Sequence, residues 1–251
     1  MNQGSLYTHI QNNIATVEFF HPASNSFPSE LLSRLTKAFQ ELSSNIEVHV
    51  IILKSEGEKA FCAGASFDEL IAIDNFEDGK RFFLGFANVI NAMRICEKPI
   101  IGRVQGKVVG GGVGLVAACD YVFATDKAAI KLSELTIGIG PFVIAPVVER
   151  KVGIAALSEL SLNAIQWHNA YWAKEKGLYA NVFDNTKQLD TSVDELAQKL
   201  ASYNPDAVQK MKQVLWKDTS HWDSLLEERA KISGKLVLSD FTKSALGKFK
   251  K

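Results

Sequence analysis

The feature that most constrains the fold is an apolar run of strand length at residues 48–53, which follows a segment with helical periodicity at 29–43. The run lacks the alternation of apolar and polar residues that marks a strand with one face in water. Strands that are apolar on both faces belong to parallel sheets covered by helices. A second such run at 99–104 follows a predicted helix at 76–95. The pattern predicts an α/β fold.

Both ends of the chain carry further signals. Residues 6–20 are predicted to form a β-hairpin that turns at Asn12 and Asn13. A short helix ending at Cys119 and a strand at 121–124 continue the alternation of elements. Helical patterns then dominate at 143–151, 154–162, 170–176 and 194–202. We therefore expect a strand-rich first part and a helical last part.

The charge balance limits the possible partners. The 251 residues include 28 basic and 28 acidic side chains, so no overall field favours nucleic acid or an anionic membrane. A strongly charged ligand would need a local site. From residue 199 onward, eleven Lys or Arg stand against six Asp or Glu. This basic excess is either a solvated helical surface or a contact for an acidic ligand or a neighbouring subunit.

Several classes of site and location have no signal in the sequence. The three cysteines and five histidines lack the spacing of metal ligands, so no metal site is predicted. The first eighteen residues show no secretory signal, and no apolar run reaches the length of a membrane span. We expect a cytoplasmic protein.

The first segment with chemical meaning lies between Lys59 and Glu69. Small residues occupy positions 60, 63, 64 and 65, and they allow close approach of another backbone or of a ligand. Ser66 and Glu69 have the spacing of a capping box that starts a helix. Backbone N–H groups should therefore converge near Ala65.

The second segment is rich in glycine and lies between a strand and a short helix. Its glycines, at 110, 111, 112 and 114, free N–H donors beside the positive end of that helix. Residues 112–117 also match a dinucleotide-binding fingerprint. However, the helix ends by Asp120, and the next strand lacks the acidic residue that binds ribose. We therefore expect these donors to stabilise a developing negative charge.

The third segment places Glu134 among apolar neighbours, Leu132, Leu135 and Ile137. Taken alone, such a glutamate is usually a solvent-facing residue of an edge strand. In an apolar setting its pKa would rise toward the range useful for a general acid or base. Two donor-rich turns and one carboxylate suit proton transfer beside a thioester carbonyl, because the donors stabilise the enolate oxygen.

The three segments, 59–68, 110–120 and 133–141, resemble the crotonase superfamily of enoyl-CoA hydratases and isomerases in order and spacing. The resemblance implies a crotonase-like spiral of strand-strand-helix turns over 1–190 and a helical trimerisation region over 191–251. It also implies an acyl-CoA thioester substrate, no separate cofactor, and assembly as a trimer or a dimer of trimers.

The resemblance also implies roles for individual residues. Ala65 and Gly111 would supply the two N–H groups of an oxyanion hole, and Glu134 matches the second catalytic glutamate of the hydratases. Substrate or coenzyme A contacts are expected for Lys59, Ala63, Ser66, Phe67, Val109, Gly110, Gly114 and Ser133. Lysines near the end of the chain are candidates for the coenzyme A phosphates: Lys243, Lys248, Lys250 and Lys251.

Two departures from the family pattern leave the reaction open. Gly114 stands where two-glutamate hydratases carry their first glutamate, and Ser66 replaces a common aspartate. A single carboxylate suits an isomerase, since no water need be held. Residues 133–138 and 141–146 are nevertheless most similar to bacterial methylglutaconyl-CoA hydratases of branched-chain catabolism. A non-catalytic subunit that binds CoA thioesters is the third interpretation.

Overall fold

The structure, a computed structural model, describes residues 4–248. Its nine strands are β1 Ser5–Gln11, β2 Ile14–Phe20, β3 Val50–Ser55, β4 Ala60–Cys62, β5 Ile100–Val104, β6 Lys107–Val109, β7 Tyr121–Thr125, β8 Ile130–Lys131 and β9 Asn181–Phe183. Its ten α-helices are α1 Ser29–Ser44, α2 Phe67–Ala72, α3 Phe76–Ile95, α4 Gly111–Ala118, α5 Ala145–Leu162, α6 Ala170–Glu175, α7 Thr186–Ser202, α8 Pro205–Leu215, α9 Trp222–Leu236 and α10 Asp240–Gly247. A single 3-10 turn, Glu134–Ile137, lies between β8 and α5.

The strands form two sheets that are built by one repeating unit. The large sheet has the order β1-β2-β3-β5-β7-β9, in which only the β1–β2 pair is antiparallel. The small sheet has the order β4-β6-β8 and is parallel. Three successive turns of the chain, which begin at β3, β5 and β7, each add one strand to the large sheet, one to the small sheet, and then a helical segment. The mixed α/β spiral expected from the sequence is therefore confirmed.

The first hairpin forms as predicted. Asn12 and Asn13 adopt positive φ angles of 52° and 63°, which asparagine tolerates in a tight turn. Gln11 then pairs with Ile14 across the turn. Alternate residues of β2 are buried, so one face of this ribbon lies on the core.

The predicted helix at 76–95 is confirmed as α3. Its first turn is capped by Asn75, whose Oδ1 accepts the N–H of Asp78 at 2.9 Å. α3 crosses α9 closely because both helices carry glycine at the contact. A Cβ placed on Gly79 would lie 2.9 Å from the carbonyl oxygen of Gly234. The C-terminal helices are thus packed directly against the spiral.

Two strands differ from the sequence-based prediction. β4 was not predicted as a strand, and β9 lies in the part expected to be helical. Both strands have three residues, which is too short for a periodic pattern. The boundary expected between the spiral, 1–190, and the helical region, 191–251, stays a prediction; residue 190 lies within α7. Trp216, Trp222 and Leu226 of the helical region share one core with the spiral, while a role of this region in trimer assembly stays a prediction.

Within residues 4–248, no helix combines the length and the apolar character that crossing a lipid bilayer would require.

Candidate active site

The three segments singled out from the sequence each follow one strand of the small sheet. β4 leads into residues 63–65, β6 into Gly110, and β8 into Glu134. The register pairs Ala60 with Lys107 and Val109 with Lys131. Because the strands are parallel, their carboxyl ends meet at the same edge. The small sheet therefore brings together groups that lie far apart in the sequence.

The first turn is held against the second by close backbone packing. Gly64 has a φ of +89°, and a Cβ placed on it would lie 3.1 Å from the carbonyl oxygen of Val109. Phe27 bridges this turn from the other side: its N–H donates to Gly64 at 2.8 Å, and its carbonyl accepts from Ser66 at 3.0 Å. Ala65 lies between Gly64 and Ser66, the two residues that are hydrogen-bonded to Phe27. Its own N–H therefore points away from Phe27.

The capping box expected at Ser66 forms only in part. Ser66 Oγ accepts the N–H of Glu69 at 3.4 Å and begins α2. The Glu69 carboxylate does not return to Ser66. It accepts the N–H and the hydroxyl of Ser29, at 2.9 Å and 2.6 Å, and so links the starts of α1 and α2.

The second turn depends on a backbone conformation that only glycine adopts readily. Gly110 has φ 54° and ψ −125°, and its N–H donates to Lys131 at 2.9 Å. Gly111 begins α4, so its N–H has no partner within the helix. Among residues 4–248, neither this N–H nor that of Ala65 donates to another protein group. Both donors are available to a ligand.

Glu134 lies beside these donors at the start of the 3-10 turn, which Gly138 ends with a φ of +83°. A Cβ placed on Gly110 would lie 3.0 Å from Glu134 Oε1. The other carboxyl oxygen, Oε2, is buried and has no hydrogen-bond partner in the described chain. Burial raises the pKa of Glu134 from 4.5 to about 7. The carboxyl group is therefore poised to gain or lose a proton near neutral pH.

A cavity opens onto Glu134 and both turns, and about 630 Å³ of empty space lies within it and in the solvent at its mouth. Eight of the predicted site residues line it, namely Ala63, Ala65, Phe67, Val109, Gly110, Gly111, Ser133 and Glu134. Lys59, Ser66 and Gly114 are not among the described residues that line the cavity. Lys59 precedes β4, at the end of that strand away from the cavity, and its expected contact with coenzyme A stays a prediction.

Gly114 is buried behind the cavity wall rather than exposed in it. A Cβ on this residue would lie 2.7 Å from the Cβ of Ile144 and would also meet its Cγ2. Ile144 itself lines the cavity. An isoleucine side chain thus fills the space into which a glutamate at position 114 would project.

Sequence reasoning missed Ile144 and Ser233 as cavity residues. Ser233 reaches the cavity from α9, about ninety residues beyond the last of the three segments in the chain. Ile144 belongs to the segment 141–146, which the sequence marked only for its resemblance to methylglutaconyl-CoA hydratases, and the packing of this side chain against Gly114 had no sequence signal. Ser233 belongs to no motif, and only the crossing of α9 over α3 places it at the cavity. Phe86, from α3, covers Gly111 so closely that a Cβ on this glycine would overlap Cε1 of the Phe86 ring.

The C-terminal lysines are only partly described. Lys243 and Lys248 are exposed, and Lys250 and Lys251 lie outside the described residues. α10 packs on the 3-10 turn Glu134–Ile137. A Cβ placed on Gly138, the residue that ends this turn, would meet Thr242 of α10. The contact of these lysines with coenzyme A phosphates stays a prediction.

The architecture is that of known acyl-CoA enzymes. The fold matches the crystal structure of enoyl-CoA hydratase from Bacillus halodurans with a TM-score of 0.89, 20% identity, and coverage of 97% of this chain and 99% of that chain. It also matches enoyl-CoA hydratase/isomerase from Pseudoalteromonas atlantica T6c, with a TM-score of 0.85, 22% identity, and coverage of 98% and 96%. These similarities define the crotonase fold.

Sequence comparison then identifies the family. The enoyl-CoA hydratase/isomerase family matches residues 9–245, so the chain belongs to that family and is an enzyme of hydratase/isomerase type. The peroxisomal Delta(3,5)-Delta(2,4)-dienoyl-CoA isomerase of Arabidopsis thaliana is 30% identical over 76% of this chain and 72% of its own length. The short-chain-enoyl-CoA hydratase of Clostridium acetobutylicum is 30% identical over 82% and 78%.

Proposed function

We propose that the protein moves a double bond within an enoyl-CoA thioester, with Glu134 as its single acid and base. The carboxylate removes a proton from the carbon next to the thioester carbonyl, and the C–H electron pair enters a dienolate. Glu134 then returns the proton to the carbon at the far end of the conjugated system. The substrate and the product are isomers, so neither water nor an oxidant is consumed.

The N–H groups of Ala65 and Gly111 suit the dienolate oxygen. Both lie at turns on the cavity, and Gly111 also stands at the positive end of α4. Fixed donors in a site that excludes water stabilise a developing oxyanion strongly, and the loss of one such donor typically lowers the rate by about 10²–10³. Coenzyme A is part of the substrate, and this proton transfer needs no separate cofactor.

The observation that carries the choice of isomerisation is the packing of Ile144 against Gly114. A hydratase of the two-glutamate type holds a water molecule between two carboxylates. Here Glu134 is the only carboxylate among the described lining residues, and Ile144 fills the second position. An apolar wall at that position does not orient water. The 30% identity to a dienoyl-CoA isomerase also supports this proposal.

Hydration is the second candidate, and it includes methylglutaconyl-CoA as a substrate. Its support is the 30% identity to a short-chain-enoyl-CoA hydratase and the resemblance of residues 133–138 and 141–146 to methylglutaconyl-CoA hydratases. A non-catalytic subunit that binds CoA thioesters is the candidate from another class. The raised pKa of Glu134 argues against it, because that pKa suits proton transfer.

A panel of 2-enoyl-CoA and 3-enoyl-CoA thioesters separates the three candidates. Each substrate is followed both for double-bond migration and for 3-hydroxyacyl-CoA formation. We expect migration at a rate far above that of hydration. Faster hydration would favour the second candidate, and binding without either reaction would favour the non-catalytic subunit.

The cytoplasmic location and the assembly as a trimer or a dimer of trimers stay predictions.

A further inference from the structure

The cavity lining holds few polar side chains and no described positive charge. α2, α3 and residues 139–144 contribute apolar side chains, among them Leu70, Phe83, Phe86 and Val143. The polar side chains in the lining are Ser133, Glu134 and Ser233. Within residues 4–248, no Lys, Arg or His lines the cavity. The two serine hydroxyls carry no charge.

A carboxylate at the far end of an acyl chain would be poorly tolerated in these surroundings. An ionised carboxylate that leaves water requires a cation or several hydrogen-bond donors. Here it would share the cavity with Glu134, whose Oε2 already lacks a partner. A second negative charge nearby would also oppose ionisation of Glu134 and formation of the dienolate.

We infer that the enzyme selects enoyl-CoA thioesters whose acyl group is uncharged and apolar, and that it discriminates against acyl groups with a distal carboxylate. The inference rests on the proposed function because it assumes that the acyl chain enters this cavity. It names the substrate class and applies to isomerisation and hydration alike. It also predicts that methylglutaconyl-CoA, which carries such a carboxylate, is a poor substrate.

Binding of two matched, unreactive thioesters tests the inference in the full-length, assembled protein. Glutaryl-CoA ends in a carboxylate, and in 5-methylhexanoyl-CoA an isopropyl group of similar shape replaces it. We expect calorimetry to show at least about tenfold weaker binding of glutaryl-CoA, because its charge is buried without a partner. Equal or tighter binding of glutaryl-CoA would overturn the inference.

Turnover of the corresponding enoyl thioesters separates this inference from the proposed function. Methylglutaconyl-CoA and 3,5-dimethylhex-2-enoyl-CoA differ only in the same replacement. Selective binding of the uncharged thioester without turnover would leave the inference standing and overturn the proposed catalysis. Turnover of both at equal kcat/KM would overturn the inference and leave the catalysis standing. Failure to bind either unreactive thioester would overturn both.

A charge placed in the lining gives a second test. Phe142 lines the cavity and is partly exposed, so Phe142→Arg can add a cation there, and Phe142→Leu is the matched uncharged control. We expect Phe142→Arg to raise the affinity for glutaryl-CoA relative to that for 5-methylhexanoyl-CoA by about tenfold, and we expect no such change in Phe142→Leu. An unchanged ratio in a folded Phe142→Arg variant would contradict the inference.

Discussion

Ile144 occupies the space beside Gly114 in which a second catalytic glutamate would lie. A Cβ on Gly114 would come within 2.7 Å of the Ile144 Cβ, and Ile144 also forms part of the cavity wall. These two residues are thirty positions apart in the sequence, yet they act as a complementary pair. A glycine at 114 and a branched apolar side chain at 144 leave Glu134 as the single carboxylate among the described residues that line the cavity.

Gly114→Glu alone should not create a hydratase. The added side chain would be forced against Ile144, and over-packing of this kind costs about 1–3 kcal/mol of stability. Gly114→Glu combined with Ile144→Ala should fold better and gain hydration of crotonyl-CoA. Thermal unfolding and hydration assays on both variants check this, with Ile144→Ala as the control. Equal stability and activity of the two glutamate variants would contradict the packing account.

Glu134→Gln should lower kcat by about 10²–10⁴ while the affinity for an unreactive CoA thioester stays near that of the parent. In the parent, kcat/KM should rise through about pH 7, because the carboxyl group must be ionised to accept a proton. Glu149→Gln, on the exposed surface of α5, is the control. Full activity of Glu134→Gln would exclude Glu134 as the base.

The raised pKa of Glu134 also predicts a pH dependence of stability. Between pH 4.5 and about 7, the folded protein keeps a proton that the unfolded chain releases. The contribution of this group to the free energy of unfolding is therefore highest at acid pH, and it is lost as the pH rises to about 7. Chemical denaturation should show Glu134→Gln gaining stability relative to the parent across this window. A difference that is constant with pH would contradict the raised pKa.

A buried ion pair that is not part of the cavity lining should matter for stability and not for chemistry. Asp120 lies 3.0 Å from the Lys212 ammonium and accepts the N–H groups of Ile100 and of the Trp216 ring at 2.8 Å and 2.7 Å. Asp120→Asn removes the carboxylate beside the buried Lys212 ammonium, which then keeps only the carbonyl oxygens of Met93 and Lys98, and we expect a loss of about 3–5 kcal/mol. Denaturant unfolding measures this loss.

The control for Asp120 is the exposed pair of Lys37 and Glu41, 3.6 Å apart on α1. Glu41→Gln should change stability by no more than about 0.5 kcal/mol. At a temperature where both variants are folded, kcat/KM should equal that of the parent. A large loss of kcat/KM in folded Asp120→Asn would show that the pair positions the cavity residues.

Local signals accounted for much of the fold. The hairpin turn at Asn12 and Asn13 and the helix Phe76–Ile95 follow from residue preferences and periodicity over short stretches. The strands of the small sheet have two or three residues, so their pairing had no periodic signal. Glu134 was found because motif spacing marked it. Ile144 was not, since its effect depends on a tertiary contact with Gly114.

The most direct test of a single-carboxylate isomerase is turnover of a 3-enoyl-CoA thioester in ¹⁸O-labelled water, followed by mass spectrometry of the acyl product. We predict a 2-enoyl product that has the mass of the substrate and carries no ¹⁸O, and loss of this product in Glu134→Gln. A principal product that has gained one molecule of labelled water would contradict the account.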